Sequence, residues 1–299
     1  MGVIYVGTAG WSYPQGEGRW EGLFYPADRR IDRLQYYARF FNAVEINSSF
    51  YRPLLPHVAR SWARKTPPAF RFTAKLYQKF THPKMYQEAT GEAADLRAED
   101  FAQFKAGIAP LAEAGKLGAL LAQFPPSFKA DDETLTQLED LLRQFAEYPL
   151  AVELRHRSWS ESKEAARLLA EHGVAWCIID EPKFHTSLGA VPLTSRLGYF
   201  RFHGRNAAQW WQGDRETRYD YLYNSAEQAE LAAQVQAVAA RTDETYVFYN
   251  NHYRAKAVVN ATQLKLTLGQ PVNLDFTPQM LATYPELAAL VARVPSREA

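Results

Sequence analysis

Short runs of β-branched, aromatic and aliphatic residues alternate along the chain with longer stretches of helical period. The runs are Val3 to Thr8, Ala43 to Asn47, Phe70 to Lys75, Ala119 to Phe124, Ala151 to Arg155, Val174 to Asp180, Gly198 to His203 and Thr245 to Asn250. Helical stretches follow at Ile31 to Phe41, His57 to Lys65, Ala98 to Ala114, Asp131 to Ala146, Glu161 to His172, Ala226 to Arg241 and Ala255 to Leu268. Asp131-Asp132-Glu133 is suited to open a helix and His172-Gly173 to close one. Only Glu181 to Leu197 lacks a convincing helix. Strand and helix in alternation call for parallel strands with right-handed crossovers, and eight such units close a ring. The expectation is α/β: a single (β/α)8 TIM-like barrel over residues 1–299.

Alternation within each strand assigns its two faces, because one meets the helices and the other fills the lumen. Val44 and Ile46 face out, so Glu45 and Asn47 face in; Phe70, Phe72 and Ala74 leave Arg71, Thr73 and Lys75 inside. Likewise Val152 and Leu154 place Glu153 and Arg155 inward, and Phe200 and Phe202 do so for Arg201 and His203. The same phase brings Asp180 to the inner side. With Gln123 and Asn250 as neutral partners, the lumen is unusually polar and charged. Barrel interiors are ordinarily filled with Val, Ile and Leu, and buried ions cost several kcal/mol unless paired. Charges at the C-terminal strand ends stand where barrel chemistry is done.

Composition changes this picture little. The chain has 299 residues, 34 Lys+Arg against 33 Asp+Glu and 47% hydrophobic residues, which excludes disorder, collagen and a polybasic tail. No stretch approaches the length of a membrane span and no basic-then-apolar leader opens the chain, so a cytoplasmic protein without membrane contact is expected. A single Cys177, inside an apolar run, excludes an internal disulfide and a thiolate metal cage. Glu45, Glu153, Asp180 and His203 could form an oxygen-rich site for a divalent metal, but Lys75 and the arginines would compete with a cation, and neither HxH nor HExxH occurs. The expectation is chemistry without metal or cofactor.

Four segments concentrate candidate chemistry. Val44 to Tyr51 carries Glu45 at a strand end, then Asn47 and Tyr51 over the mouth. Glu153 to Trp159 offers a second carboxylate with Arg155 and Trp159. Arg201-Phe202-His203 sets a guanidinium and an imidazole on one face, suited to a phosphate, carboxylate or sugar hydroxyl. Asn250-Asn251-His252 follows the eighth strand, where its amides could hold a hydroxyl-rich ligand or cap the next helix. Gly7 to Tyr13 is a tight loop but not a nucleotide fingerprint; Trp11, Tyr13 and Trp20 either cover the mouth or pack the loop, and Trp210-Trp211 is a rim platform or a partner contact.

In order along the chain, Gly7 to Tyr13, Trp20 to Pro26, Val44 to Arg52, Thr81-His82-Pro83, Leu121 to Phe128, Glu153 to Trp159, Phe202-His203-Gly204 and Asn250-Asn251-His252 resemble the successive motifs of the YecE-like family, domain of unknown function 72. The resemblance covers nearly the whole chain and implies a TIM-like barrel, but supplies no reaction. Ala9 stands where that pattern often has Ser, and Ala255 where it has Gly. The family's barrel is similar to those of endonuclease IV and xylose isomerase, although the histidine ligand set of the former is not visible here.

Three functions follow. The first is an enzyme, a hydrolase or an isomerase or lyase, acting on a small polar or anionic substrate, with Glu45 and Glu153 as acid and base and Asp180 and His203 relaying protons. Lys75, Arg155 and Arg201 would bind the anion and Asn250 and Asn251 the hydroxyls. The second is a nucleic-acid binding or repair protein accepting a base between Trp11, Tyr51 and Trp159. The third is a barrel that binds a ligand without turning it over.

Overall fold

The computed structural model describes residues 2–27, 30–214 and 217–293. Nine β segments, all parallel, lie in one sheet: β1 (Val3–Ala9), β2 (Ala43–Ile46), β3 (Arg71–Lys75), β4 (Leu117–Gln123), β5 (Leu150–Glu153), β6 (Ala175–Trp176), β7 (Ile178–Asp180), β8 (Leu197–Phe202) and β9 (Glu244–Tyr249). The ladder runs β6-β5-β4-β3-β2-β1-β9-β8-β7, so its two ends are consecutive in the chain, separated only by Cys177. The Cys177 N–H still bonds Val152 of β5, and from Ile178 onward the chain pairs with β8. The molecule is therefore an α/β TIM-like barrel of eight strands whose sixth is shared between its neighbours.

The alternation read from sequence is realised on most strands. Val44, Ile46, Phe72, Ala74, Val152, Phe200 and Phe202 are fully buried in the apolar layer. Covering helices include Pro56–Lys65, Ala98–Glu113, Asp132–Gln144, Lys163–Glu171, Ser225–Ala239 and Lys256–Thr267. Asp131 accepts from the Thr134 N–H, and Asn224 accepts from Ala226 and Glu227 while Glu227 reaches back to the Asn224 N–H, so two of these helices begin at satisfied caps. The stretch Ile31 to Phe41 yields only Arg33–Tyr37. Short helices at Ser48–Tyr51, Gln78–Thr81, Pro83–Thr90 and Arg157–Glu161, and two C-terminal ones at Pro278–Thr283 and Pro285–Arg293, escape a periodicity reading because most span barely one or two turns. As expected, no helix spans 181–197.

The N-terminal half of the lumen is plugged by rings. Tyr5 stacks on Tyr246 at 4.9 Å, and Tyr199 lies 5.5 Å from Phe248. Gly118 makes room for this plug, since a Cβ there would fall 2.3 Å from the Tyr246 hydroxyl. Arg71, though inward by phase, belongs to this end, its guanidinium 5.5 Å above the Tyr5 ring. Polar groups fill the other half.

Candidate functional site at the C-terminal strand ends

Directly above the rings, Arg201 of β8 sits between two carboxylates. Its Nε and Nη2 donate to Glu45 Oε2 and Oε1 at 3.0 and 2.7 Å, and Nη1 donates to Glu153 Oε2 at 2.5 Å. Thr73 and Tyr199 complete the layer, with the Tyr199 hydroxyl donating to Glu45 Oε2 at 2.8 Å and lying 2.9 Å from Thr73 Oγ1. Burial would raise the Glu153 carboxyl, but the Arg155 and Arg201 guanidiniums outweigh it and hold Glu153 well below the ordinary carboxylate range. Burial opposes the charge on Arg201 too, and Glu153 and Glu45 outweigh it.

One step nearer the mouth, Arg155 bonds Glu153 Oε1 through Nε at 2.7 Å and pairs with Glu181 at 3.3 Å. Its Nη2 lies 3.1 Å from His203 Nε2. A guanidinium only donates, so Nε2 accepts from Arg155, and the Asn250 Nδ2 lies 3.0 Å from Nδ1 on the other side of the ring. Burial, with Arg155 next, pushes His203 down to about 3, so the ring is neutral. Lys75 at the end of β3 sits 3.8 Å over the Phe50 ring. Burial, reinforced by Arg201, pushes this amine down to about 7.

These groups floor a cavity of about 570 Å³ whose walls include Tyr13, Phe50, His82, Pro125, Tyr219 and His252. Its basic lining groups are Lys75, Arg155, Arg201 and Arg218, and no carboxylate lines it among the described residues. Arg218 Nε is buried without a hydrogen-bond partner among those residues. The His252 ring stacks on Tyr13 at 4.5 Å, and burial lowers it to about 4. A second depression of about 790 Å³ shares His82, Met85 and Pro125 with the first, and Lys79, the buried cation on its wall, is already paired with Asp100 at 2.8 Å.

Of the residues singled out from sequence, Asn47, Tyr51, Lys75, Arg155, Arg201 and Asn250 line the cavity. Glu45, Glu153 and His203 lie under it, fully buried and covered by the arginines. Four others stand elsewhere. Trp11 packs edge-on against Trp62 at 4.9 Å on the helix side. Trp159 is buried, stacked on Phe128 and donating to the Phe128 carbonyl at 2.7 Å. Asn251 donates to the Tyr221 carbonyl and to Asn260, both at 2.8 Å, tying a loop to a helix.

Asp180 requires a correction of phase. It is turned to the outer side, where Arg205 donates to it at 2.7 to 3.1 Å and the Tyr223 hydroxyl at 2.7 Å. The next residue, Glu181, reaches Arg155 instead. In Val174 to Ile179 both faces are apolar, so alternation could not choose between two opposite assignments. His82, Arg218 and Tyr219 were not read as site residues; they come from short or irregular connections where sequence period carries no facing information. Among the described residues no group of three or more His, Cys, Asp or Glu side chains is placed to hold a metal ion, and no helix is long and apolar enough to cross a membrane.

Comparison with known proteins agrees with this architecture. The protein YunF of Bacillus subtilis (strain 168), a UPF0759 protein, is 29% identical over 276 residues, covering 88% of this chain and 93% of YunF. A crystal structure of a DUF72 family protein from Thermotoga maritima MSB8 is 37% identical with a TM-score of 0.76, covering 90% of this chain and 100% of that one. A DUF72 family protein from Enterococcus faecalis V583 is 28% identical with a TM-score of 0.78, covering 92% of this chain and 98% of that one. The family model described as protein of unknown function DUF72 matches residues 5–282, so the chain belongs to the DUF72 family.

Proposed function

We propose that this protein is an enzyme that binds a small anionic compound, a carboxylate or phosphate ester of about sugar size, at the C-terminal mouth of the barrel and transforms it by proton transfer. The observation that carries this is the lining: Lys75, Arg155, Arg201 and Arg218 converge on a cavity of about 570 Å³, and the carboxylates lie beneath, each bonded to a guanidinium. Such a cavity favours a negative ligand whose desolvation is offset by fixed donors. In this reading Glu45 and Glu153 act from below, fixing the guanidiniums and setting the field around them. Lys75 is the lining group whose amine, pushed down to about 7, is available in its neutral form near physiological pH.

The test is thermal stability against inorganic phosphate, sugar phosphates, hydroxy acids and the matching neutral sugars. A ligand that binds only the folded state raises stability by about 2.7 kcal/mol at a hundredfold excess over Kd. Anions should stabilise the wild type, and Arg218→Gln should weaken the effect. Neutral sugars stabilising as well as their phosphates would overturn the reading.

A second reading draws on Tyr51 and Trp211, which are 51% and 60% exposed at the rim of the same basic cavity. Exposed rings beside cations are how single-stranded nucleic acid is held. Binding of an oligonucleotide that weakens steeply with salt and is lost in Trp211→Ala would favour it over the small anion.

A further inference from the structure

Lysines Lys79, Lys116 and Lys265 are buried and Lys75 is half-buried, and each of the first three is tied to oxygen. Lys79 donates to both oxygens of Asp100 at 2.9 and 2.8 Å. Lys116 donates to the Ala63 and Thr66 carbonyls at 2.6 Å and to Thr66 Oγ1 at 3.0 Å, and Lys265 donates to the Phe40 carbonyl at 2.6 Å. An ammonium carries three donors and takes such partners wherever they are offered. For Lys75 Nζ no hydrogen bond or ion pair is found among the described residues; its near contact is the face of Phe50 at 3.8 Å. The backbone beneath is fixed, since Ser49 donates to the Lys75 carbonyl at 2.6 Å. The amine thus ends in the cavity, against a ring and within the field of Arg201 and Arg155, with no acceptor bonded to it among the described residues.

We infer that Lys75 is a nucleophile that condenses with an aldehyde or ketone carried by an anionic substrate, forming an imine in the barrel mouth. This rests on the proposed anion cavity and names the class of compound it takes: a keto acid or a phosphorylated sugar in its open carbonyl form. The arginines hold the anion while the neutral amine attacks. The nitrogen lone pair forms the C–N bond as the carbonyl π pair moves to oxygen. Proton transfer from nitrogen to that oxygen gives a carbinolamine, and loss of the hydroxyl as water leaves the imine. When protonated, the imine is an electron sink for cleavage of an adjacent C–H or C–C bond, and water addition later returns the free amine. Desolvation and neighbouring cations, which favour the neutral amine at physiological pH, are the two devices that activate lysine in this chemistry. No oxidant or reductant is required.

The probe is pyridoxal 5′-phosphate, an aldehyde bearing a phosphate, followed by borohydride reduction and peptide mapping. Labelling should be saturable, at least about tenfold faster at Lys75 than at the exposed Lys84, and slowed by inorganic phosphate. Its rate should rise as pH is raised through about 7. Lys75→Arg keeps the charge and should still be stabilised by phosphate while giving no adduct at that position; Lys75→Met, assayed in parallel, covers the case in which arginine does not fit. Labelling no faster at Lys75 than at Lys84 overturns the imine, whatever phosphate does. Fast labelling at Lys75 that phosphate neither slows nor accompanies with stabilisation supports the nucleophile and overturns the anion cavity.

Discussion

Arg201 and Glu45 meet through two parallel hydrogen bonds of 3.0 and 2.7 Å, although they lie 156 residues apart in the chain and neither is more than 3% exposed. The pair joins β2 to β8 across the lumen. Removing Glu45 leaves the Arg201 guanidinium held by Glu153 alone, with Nε and Nη2 unpaired in the interior, and breaking a buried pair in this way typically costs about 3–5 kcal/mol, far more than the net worth of the intact pair. Glu45→Ala should lose that much stability in denaturant unfolding, and Glu45→Gln less because the amide oxygen still accepts. A loss under about 1 kcal/mol, the size of an exposed pair, would mean that the guanidinium escapes to solvent.

The Lys75 amine imposes a definite sign on the pH dependence of stability. Its folded value, about 7, lies below its ordinary 10.5, so between these limits the unfolded chain binds more protons than the folded one. Stability contributed by this group therefore rises as pH increases from about 7 toward 10.5. The difference in unfolding free energy between wild type and Lys75→Met should grow in favour of wild type across that window. A difference independent of pH would show that the amine titrates normally.

His203 acts at the acid end by the same linkage. It is neutral when folded, with its value lowered to about 3 from 6.5, so acidification from 6.5 protonates the unfolded chain first and stability falls. His203→Gln, which can still accept from Arg155, should flatten the decline by at most about 1.4 kcal/mol per pH unit. Equal slopes in mutant and wild type would remove the histidine from the acid response.

Arg254 and Ala255 are consecutive non-glycine residues in the left-handed region, at φ 49° and 63°. That conformation costs about 1–2 kcal/mol per residue outside glycine. Arg254 is exposed, and the main-chain bonds at this point, from its N–H to Gly18 and from the Tyr284 hydroxyl to its carbonyl, do not need its side chain. Arg254→Gly should raise Tm by about 1–2 °C, the strain relieved slightly exceeding the extra freedom of the unfolded chain. A fall in Tm would show that the arginine side chain holds the turn.

The barrel was legible because every strand is a compact β-rich run, and the inward phase was legible wherever a charge broke the apolar face, as at Glu45, Glu153 and Arg201. Where both faces are apolar, as from Val174 to Ile179, nothing distinguishes in from out, and Asp180 was assigned to the wrong side. The aromatic residues were the least readable. Trp11 and Trp159 have the same composition signature as a ligand platform and are used to pack loops, while Tyr219 and His252 reach the mouth from irregular segments. Ala255 stands where the family resemblance calls for glycine, and its backbone adopts the dihedral region glycine prefers.

At the shared sixth strand, β5 and β7 have no main-chain ladder between them, and side chains bridge the gap instead. Arg155, just past β5, reaches Glu181, just past β7, and His203, just past β8. The same guanidinium lines the cavity. An occupant that draws Arg155 upward would thus loosen a stitch in the wall, linking what enters the mouth to how firmly the cylinder is fastened along that line.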